Sequence, residues 1–213
     1  RIRVVDFDKS IPADVVSKTI VEELQTPGLF SIAGYDRNLT RRVPVFHNTQ
    51  PVLYKKRNIQ LSSKDVVLVT GGAKGVTAEC AIEFARKTKA QMVLVGRSEL
   101  PPQTKDQDNE IIRTLNRFKE EKLKCQYYSC DVTNPEAVMQ LIGRIEKDCG
   151  KITAVIHGAG QNSLKRLKQR NPEDAYHEAL PKVMGAINIC KALEKNSLKL
   201  IAGITSVIGV TGM

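Results

Sequence analysis

Short apolar runs alternate with longer amphipathic stretches over most of this chain. The runs contain almost no polar residues, which is typical of strands buried on both faces of a parallel sheet. Five candidate strands follow from this pattern: Val66–Val69, Met92–Val95, Gln126–Ser129, Ala154–Ile156 and Leu200–Ile204.

Helical patterns fill the intervals between the apolar runs. Strands that alternate with helices are joined by βαβ crossovers, and these build a parallel sheet covered by helices on both faces. The predicted fold class is therefore α/β, a doubly wound and Rossmann-like parallel sheet. The third helix has clear boundaries, because Thr133 or Asn134 can cap it and Gly150 can end it. The candidate helices are Thr77–Lys87, Asn109–Lys122, Pro135–Cys149 and Pro172–Lys195.

Residues 1–61 do not follow this alternation. We interpret residues 1–61 as part of a smaller subdomain with a linker, and residues 62–213 as the main α/β domain. Ser10 is the candidate cap of the helix in the smaller part. The predicted elements there are a strand at Ile2–Val5, a helix at Pro12–Leu24, and extended segments at Leu29–Ala33 and Arg41–Phe46.

Composition and charge exclude several classes of protein. The 213 residues include 41% hydrophobic and 26% charged residues, and no apolar run is long enough to cross a membrane. The net charge of +10 leaves anionic ligands and acidic partners open, but 5% aromatic residues and no Trp argue against nucleic acid. Five cysteines without a Cys-x-x-Cys pair predict reduced core thiols in a cytoplasmic protein. The start lacks Met and a secretory signal, so we expect a domain of a longer polypeptide.

A glycine-rich turn joins the first strand of the main domain to its helix. Glycines let a ligand approach the main chain, and the start of a helix offers unpaired N–H groups and partial positive charge to a pyrophosphate. The alternative is a purely structural turn. The candidate cofactor-binding residues in this turn are Thr70, Gly71, Gly72, Ala73, Lys74, Gly75 and Val76.

The end of the second strand indicates which dinucleotide binds. Binders of NAD usually carry an acid there, to accept hydrogen bonds from the ribose hydroxyls. This chain has Arg97 and Ser98 instead. The Arg97 guanidinium can bind a 2′-phosphate, and Lys74 can approach the same phosphate from the turn. NADPH is therefore predicted over NADH, although both cations could also be solvated loop residues.

Two later strands end in further candidate cofactor residues. Asp131, followed by Val132, could accept a hydrogen bond from an adenine amino group, or could only cap the next helix. His157 precedes a second glycine turn against which a cofactor could lie. Because it has no second histidine at ligand spacing, we expect a structural role and no metal site. The residues of this turn are His157, Gly158, Ala159 and Gly160.

Together these segments resemble the ketoreductase domain of polyketide synthases, a branch of the short-chain dehydrogenase/reductases. The resemblance is carried by TGGAKGVTAECA, VGRS, CDVT, HGAG, PEDAYHEALPKVMGAINI and ITSVIG. It implies hydride transfer from NADPH to the β-carbonyl of an acyl chain, held as a phosphopantetheine thioester on an acyl carrier protein. Other domains of the same synthase are the further expected partners. Residues 1–61 would be the end of a structural subdomain, and 62–213 the front of the NADPH-binding catalytic one.

The resemblance also assigns catalytic residues. Ser206 in ITSVIG matches the serine that hydrogen-bonds the substrate carbonyl, and Lys182 in PKV matches the active-site lysine. Without the family, they could be a strand-end hydroxyl and an exposed helix cation. The family's tyrosine and asparagine are expected just past Met213. Thr77 replaces the third glycine of the common pattern, which predicts different helix packing against the turn.

The cationic stretch from 163 to 170 could meet the carrier protein, or it could be a solvated face.

The Leu-Asp-Asp signature of one alcohol stereochemistry is missing after HGAG, so the handedness of the product stays undecided. Two other functions remain open: a non-catalytic structural relative, and a stand-alone short-chain reductase of a small ketone.

Overall fold

A computed structural model describes residues 2–28, 30–45, 59–100, 109–161, 167–169, 171–193 and 198–206. The chain forms two compact units, one lying within residues 1–57 and the other comprising Asn58–Ser206.

The smaller unit contains a three-stranded sheet and one helix. Strand β2 pairs in parallel with β1 and antiparallel with β3. Its elements are β1 Ile2–Phe7, α1 Ala13–Gln25, β2 Phe30–Tyr35 and β3 Arg41–Arg42.

The predicted cap of α1 is wrong, and the predicted extended segment at 41–46 forms a strand in part. Ser10 does not cap α1, because its N–H and hydroxyl both donate to Asp8 Oδ1, at 2.9 and 2.7 Å. The helix starts after Pro12 without a side-chain cap. The extended segment predicted at Arg41–Phe46 is a strand only at Arg41–Arg42, and its last residue lies outside the described residues.

Glu23 ties the helix of this unit to its sheet. Its side chain is 1% exposed and accepts hydrogen bonds from the Arg41 guanidinium and, at 2.7 Å, from the Tyr35 hydroxyl. These two donors, Arg41 first, lower the pKa of Glu23 to about 2. The buried carboxylate is thus held in its charged form by groups from β2 and β3.

The larger unit is built on a five-stranded sheet in which all neighbouring strands are parallel, in the order β6-β5-β4-β7-β8. The chain proceeds outward from β4 to β6 on one side, then returns to place β7 and β8 on the other side. The predicted doubly wound α/β fold is confirmed. The strands are β4 Val66–Thr70, β5 Gln91–Gly96, β6 Cys125–Ser129, β7 Ile152–His157 and β8 Leu200–Gly203.

Helices cover both faces of this sheet because alternate strand residues point to opposite sides. Val66 and Leu68 of β4 belong to the apolar cluster that includes residues of α4 and α5. Val67 and Val69 belong to the cluster that includes residues of α2 and α3. The helices are α2 Gly75–Thr88, α3 Glu110–Glu120, α4 Pro135–Cys149 and α5 Pro172–Ala192.

The amino edge of the sheet is closed by a polar cluster around Asp65. Its carboxylate, 3% exposed, accepts from Lys199 Nζ at 2.6 Å and from the Thr153 hydroxyl at 2.8 Å. The Ser62 N–H donates to the second oxygen at 2.8 Å. Burial alone would raise the pKa of Asp65, but these donors outweigh it and lower the pKa to about 2. The cluster connects β4 to β7 and to the residue before β8.

Among the described residues, no helix combines the length and apolar character needed to span a membrane. All five cysteines are free thiols. They are less buried than the sequence predicts: Cys190 is exposed and the other four are half-buried.

Candidate functional site

Two adjoining clefts open at the carboxyl edge of the five-stranded sheet, with volumes of about 470 and 430 Å³. Gly71, Gly96, Arg97 and Gly160 line both. Gly71 follows β4 and Gly160 follows β7, the two neighbouring strands at which the chain has reversed its direction of winding, while Gly96 ends β5. In doubly wound sheets this switch point is where ligands bind.

The predicted glycine turn brings two segments of main chain into contact. Gly71 has φ 68°, and its N–H donates to the Val95 carbonyl at 2.7 Å. A Cβ added at Gly71 would lie 2.6 Å from the Gly158 carbonyl oxygen, so no other residue fits without displacing backbone. Gly75, with φ 57°, is the first residue of α2 and has open space where a Cβ would be. The turn therefore leaves room for a ligand against its main chain.

Not every predicted residue of the turn faces a cleft. Gly72 is buried, and a Cβ there would lie 2.6 Å from Val69 Cγ1. Val76 is 72% exposed and is not among the lining residues of either cleft. Ala73, Lys74 and Gly75 line the second cleft.

Thr77 packs against the second glycine turn. Its side chain is buried, and a Cβ at Gly158 would lie 2.3 Å from Thr77 Oγ1. The methyl and hydroxyl groups of Thr77 therefore occupy the space that a side chain at position 158 would need. The absence of a side chain at position 158 therefore accommodates the threonine at position 77.

The loop after β5 presents the second predicted cation. Arg97 and Ser98 line the second cleft together with Lys74. The loop is fixed from β6, since the Tyr127 hydroxyl donates to the Ser98 carbonyl at 2.5 Å and the Ser129 hydroxyl donates to the Arg97 carbonyl at 3.1 Å. These two β6 residues, which the sequence did not single out, position the backbone that carries Arg97.

Glu110 is a lining residue that the sequence did not point to. Its Oε1 accepts a hydrogen bond from the Gly75 N–H at 2.7 Å. On the same helix, the buried Thr114 hydroxyl donates to the Ala73 carbonyl at 3.0 Å. Helix α3 thus contacts the glycine turn with two side chains one helical turn apart.

Asp131 and Val132 line the first cleft, as part of the turn after β6. Asp131 Oδ1 accepts from the N–H and the hydroxyl of Thr133, at 2.9 and 2.8 Å. Asn134 caps α4 by accepting from two backbone N–H groups. The alternative prediction, that Asp131 caps this helix, is therefore wrong. The Asn188 amide of α5 donates to the Val132 carbonyl at 3.0 Å and fixes this turn from below.

His157 connects three parts of the site through both ring nitrogens. Nε2 lies 3.0 Å from the Lys182 carbonyl oxygen, which can only accept, so Nε2 carries the proton. Burial lowers the pKa of His157, and in the neutral ring Nδ1 then accepts from the Thr70 hydroxyl at 2.7 Å. Thr70 Oγ1 in turn accepts from the Ala159 N–H at 3.3 Å. Neither Thr70 nor His157 is among the residues that line the clefts, but Thr70 is hydrogen-bonded to Ala159, which lines the first.

No three His, Cys, Asp or Glu side chains within the described ranges are grouped so as to hold a metal ion.

Lys182 lies beside the second glycine turn, on the helix that His157 contacts. It is exposed, and a Cβ at Gly160 would lie 2.8 Å from Lys182 Cε. The alkyl stem therefore passes directly over Gly160, which lines both clefts. Ser206 follows β8, is exposed, and is not among the residues that line the two clefts. Most of the cationic stretch from 163 to 170 lies outside the described residues, which retain Lys168 and Gln169 in a short 3₁₀ turn.

Comparison with known proteins identifies relatives. Polyketide synthase PksN of Bacillus subtilis is 35% identical over 153 residues, covering 70% of this chain and 3% of the synthase. Polyketide synthase PksL of the same organism is 29% identical over 167 residues, covering 71% of this chain and 4% of the synthase. The chain thus corresponds to a small part of the length of these relatives.

Solved structures share the fold. A crystal structure of a ketoreductase domain from the bacillaene assembly line superimposes with a TM-score of 0.75 at 22% identity, covering 99% of this chain and 48% of that one. The family model described as "KR domain" matches residues 65–213, which is more than half of the sequence. The chain therefore belongs to the KR domain family.

Proposed function

We propose that this chain is the coenzyme-binding part of a ketoreductase that reduces a β-ketoacyl thioester, with NADPH as the hydride donor. One observation carries the proposal. Lys74 and Arg97 line a cleft together with glycines of both turns, and the Lys182 side chain passes close to Gly160, one of these glycines.

The residues present fit a dinucleotide phosphate. Gly75 has open space where a Cβ would be, so a ligand can approach the main chain there, and the start of α2 suits a pyrophosphate. Lys74 and Arg97 would bind the 2′-phosphate, and Asp131 would accept from the adenine amino group. When bound, NADPH supplies the hydride.

Two side chains of this chain would act on the reaction. The Lys182 ammonium would lower the pKa of a tyrosine that donates the proton, because a nearby positive charge stabilises the phenolate. The Ser206 hydroxyl would hydrogen-bond the substrate carbonyl oxygen, where negative charge develops.

The kinship with polyketide synthases supports the choice of substrate and partners. We propose an acyl carrier protein with a phosphopantetheine-linked β-ketoacyl chain as the substrate carrier, and other domains of the same synthase as neighbours. The cations between 163 and 170 are proposed to contact that carrier protein or the phosphate of its phosphopantetheine arm.

The test uses the full-length protein that contains this chain. NADPH oxidation is followed with a carrier-bound β-ketoacyl thioester and with a small free ketone, with NADH as the coenzyme control. We expect saturable NADPH binding, a preference over NADH of about tenfold or more, and faster reduction of the carrier-bound substrate. Absence of saturable binding would favour a structural relative without activity. Equal rates on both substrates would favour a stand-alone reductase of small ketones.

A further inference from the structure

We propose that Glu110 is a specificity-determining residue that weakens the preference of the cleft for NADPH over NADH. This inference rests on the proposed function, since it concerns the coenzyme for which the cleft is suited. Three features support it: the hydrogen bond between Glu110 and Gly75, the buried side chains that hold this part of α3, and the charges that line the second cleft.

The contact is the hydrogen bond from the Gly75 N–H to Glu110 Oε1, at 2.7 Å. Gly75 is the first residue of α2, so its N–H has no acceptor within the helix. A carboxylate there accepts this donor and also meets the positive end of the helix. The carboxylate is therefore held beside the glycine turn, in the cleft that Lys74 and Arg97 also line.

Buried anchors bring Glu110 to this place. Thr114, one helical turn later on the same face, is 4% exposed and donates to the Ala73 carbonyl at 3.0 Å. Ile111 beside it is 1% exposed. The side chain of Asn109 accepts from the Ile111 N–H at 2.9 Å and caps α3. The Glu110 side chain is not used in this cap and contacts Gly75 instead. The packing of α3 therefore delivers the carboxylate to the glycine turn.

The charge balance explains the direction of the effect. Among the described residues that line the second cleft, Lys74 and Arg97 are the cations and Glu110 is the acid. The carboxylate offsets part of the positive charge that the cations present. A 2′-phosphate brings further negative charge to this cleft and is repelled by Glu110, whereas NADH has no such group. Removing the charge of Glu110 therefore favours NADPH more than NADH.

The experiment compares the wild-type full-length protein with Glu110→Gln and with Glu120→Gln. The glutamine keeps an oxygen that can accept from Gly75, and Glu110 is exposed, so the variant retains the fold. Glu120→Gln makes the same charge change at the other end of α3. Dissociation constants are measured for NADPH and NADH, and for adenosine 2′,5′-bisphosphate and adenosine 5′-monophosphate as probes that lack nicotinamide.

For Glu110→Gln we expect NADPH and the 2′,5′-bisphosphate to bind about threefold to tenfold more tightly, as one exposed like charge is removed. NADH and the monophosphate should change by less than about twofold, and Glu120→Gln should leave all four ligands within about twofold. The gain should shrink as salt rises from about 0.05 to about 0.5 M.

One result would overturn the inference alone: both coenzymes bind to Glu110→Gln, but the ratio of their dissociation constants is the same as in the wild type, whether neither affinity changes or both rise equally. Failure of the wild-type protein to bind either coenzyme would overturn the proposed function, and this inference with it.

Discussion

Charged side chains have different surroundings at the two ends of the strands of the five-stranded sheet, the amino edge and the carboxyl edge. At the amino edge, Asp65 is buried and paired with Lys199, and two further donors complete its hydrogen bonds. At the carboxyl edge, Lys74 and Arg97 face a cleft, and neither has an ion-pair partner in the part of the chain that the structure describes. The ion pair at the amino edge therefore stabilises the fold, whereas the cations at the carboxyl edge line a cleft that an anionic ligand can enter. Substitutions at the two edges should separate these roles.

The largest effect is expected from Lys182→Met at the carboxyl edge. Loss of the ammonium should reduce kcat by about a thousandfold, because proton transfer loses a group that tunes the proton donor. Since Lys182 is exposed, the free energy of unfolding should stay within about 0.5 kcal/mol of the wild type. Steady-state kinetics and urea unfolding measure the two quantities. Retention of kcat would remove Lys182 from the proposed mechanism.

Asp65→Ala should give the reverse result at the amino edge. The free energy of unfolding should fall by about 3 kcal/mol, because Ser62, Thr153 and Lys199 lose their common acceptor. Coenzyme affinity should be unchanged in protein that is still folded, as judged by titration with NADPH.

The same carboxylate predicts a pH dependence. Its pKa is about 2 in the folded protein against an ordinary value of 3.8, so the unfolded chain takes up the proton first. The stabilisation is complete above the ordinary value and disappears as the pH falls through 2. Across this range, the free energy of unfolding should fall less steeply with decreasing pH in Asp65→Ala than in the wild type. An identical slope in the two proteins would contradict the assignment.

A smaller effect is expected where the two glycine turns touch. Gly158→Ala should destabilise the protein by about 2 kcal/mol, because the new Cβ meets Thr77 at 2.3 Å. Thr77→Gly removes the obstacle at a cost of about 1 kcal/mol, from the lower helix propensity of glycine and the loss of the buried Thr77 methyl group. The double variant should be more stable than the sum of the two changes by about 1 kcal/mol or more. Simple additivity would show that the two positions do not compete for space.

The smallest effect is expected for Tyr127→Phe. Losing the hydrogen bond to the Ser98 carbonyl should loosen the loop that carries Arg97 and weaken NADPH binding by about twofold to fivefold. Tyr128→Phe is the matched control, since the hydroxyl of this neighbouring residue contacts Gln126 and Asp148 instead. Equal losses in both variants would argue against a role for Tyr127 at the cleft.

The sequence predicted the central strands β4, β5 and β7 well because burial on both faces leaves a nearly uninterrupted apolar run, whereas the outer strands β6 and β8 are partly exposed. It also located Lys74, Arg97 and the glycine turns, since strand ends of a parallel sheet gather at one edge. It was less accurate in the smaller unit. There a local hydrogen bond to Asp8 engages the proposed cap Ser10, and the third strand is only two residues long.

Contacts between distant segments could not be predicted in this way. Glu110 meets Gly75, Tyr127 meets Ser98 and Asn188 meets Val132, and no periodicity or spacing connects the members of these pairs. The packing of Thr77 could not be predicted either, because it depends on Gly158, which follows a different strand. These pairs are set by how α3, β6 and α5 pack, which is a property of the folded chain.

The hydrogen bonds of His157 have a consequence for Lys182. They run in one direction, from the Ala159 N–H through the Thr70 hydroxyl to the imidazole and on to the Lys182 carbonyl. The ammonium at the far end of the lysine is therefore located through its own backbone, by a ring that lies under the sheet edge. Substitution of His157 is therefore expected to shift the Lys182 backbone, although His157 is not among the residues that line the two clefts.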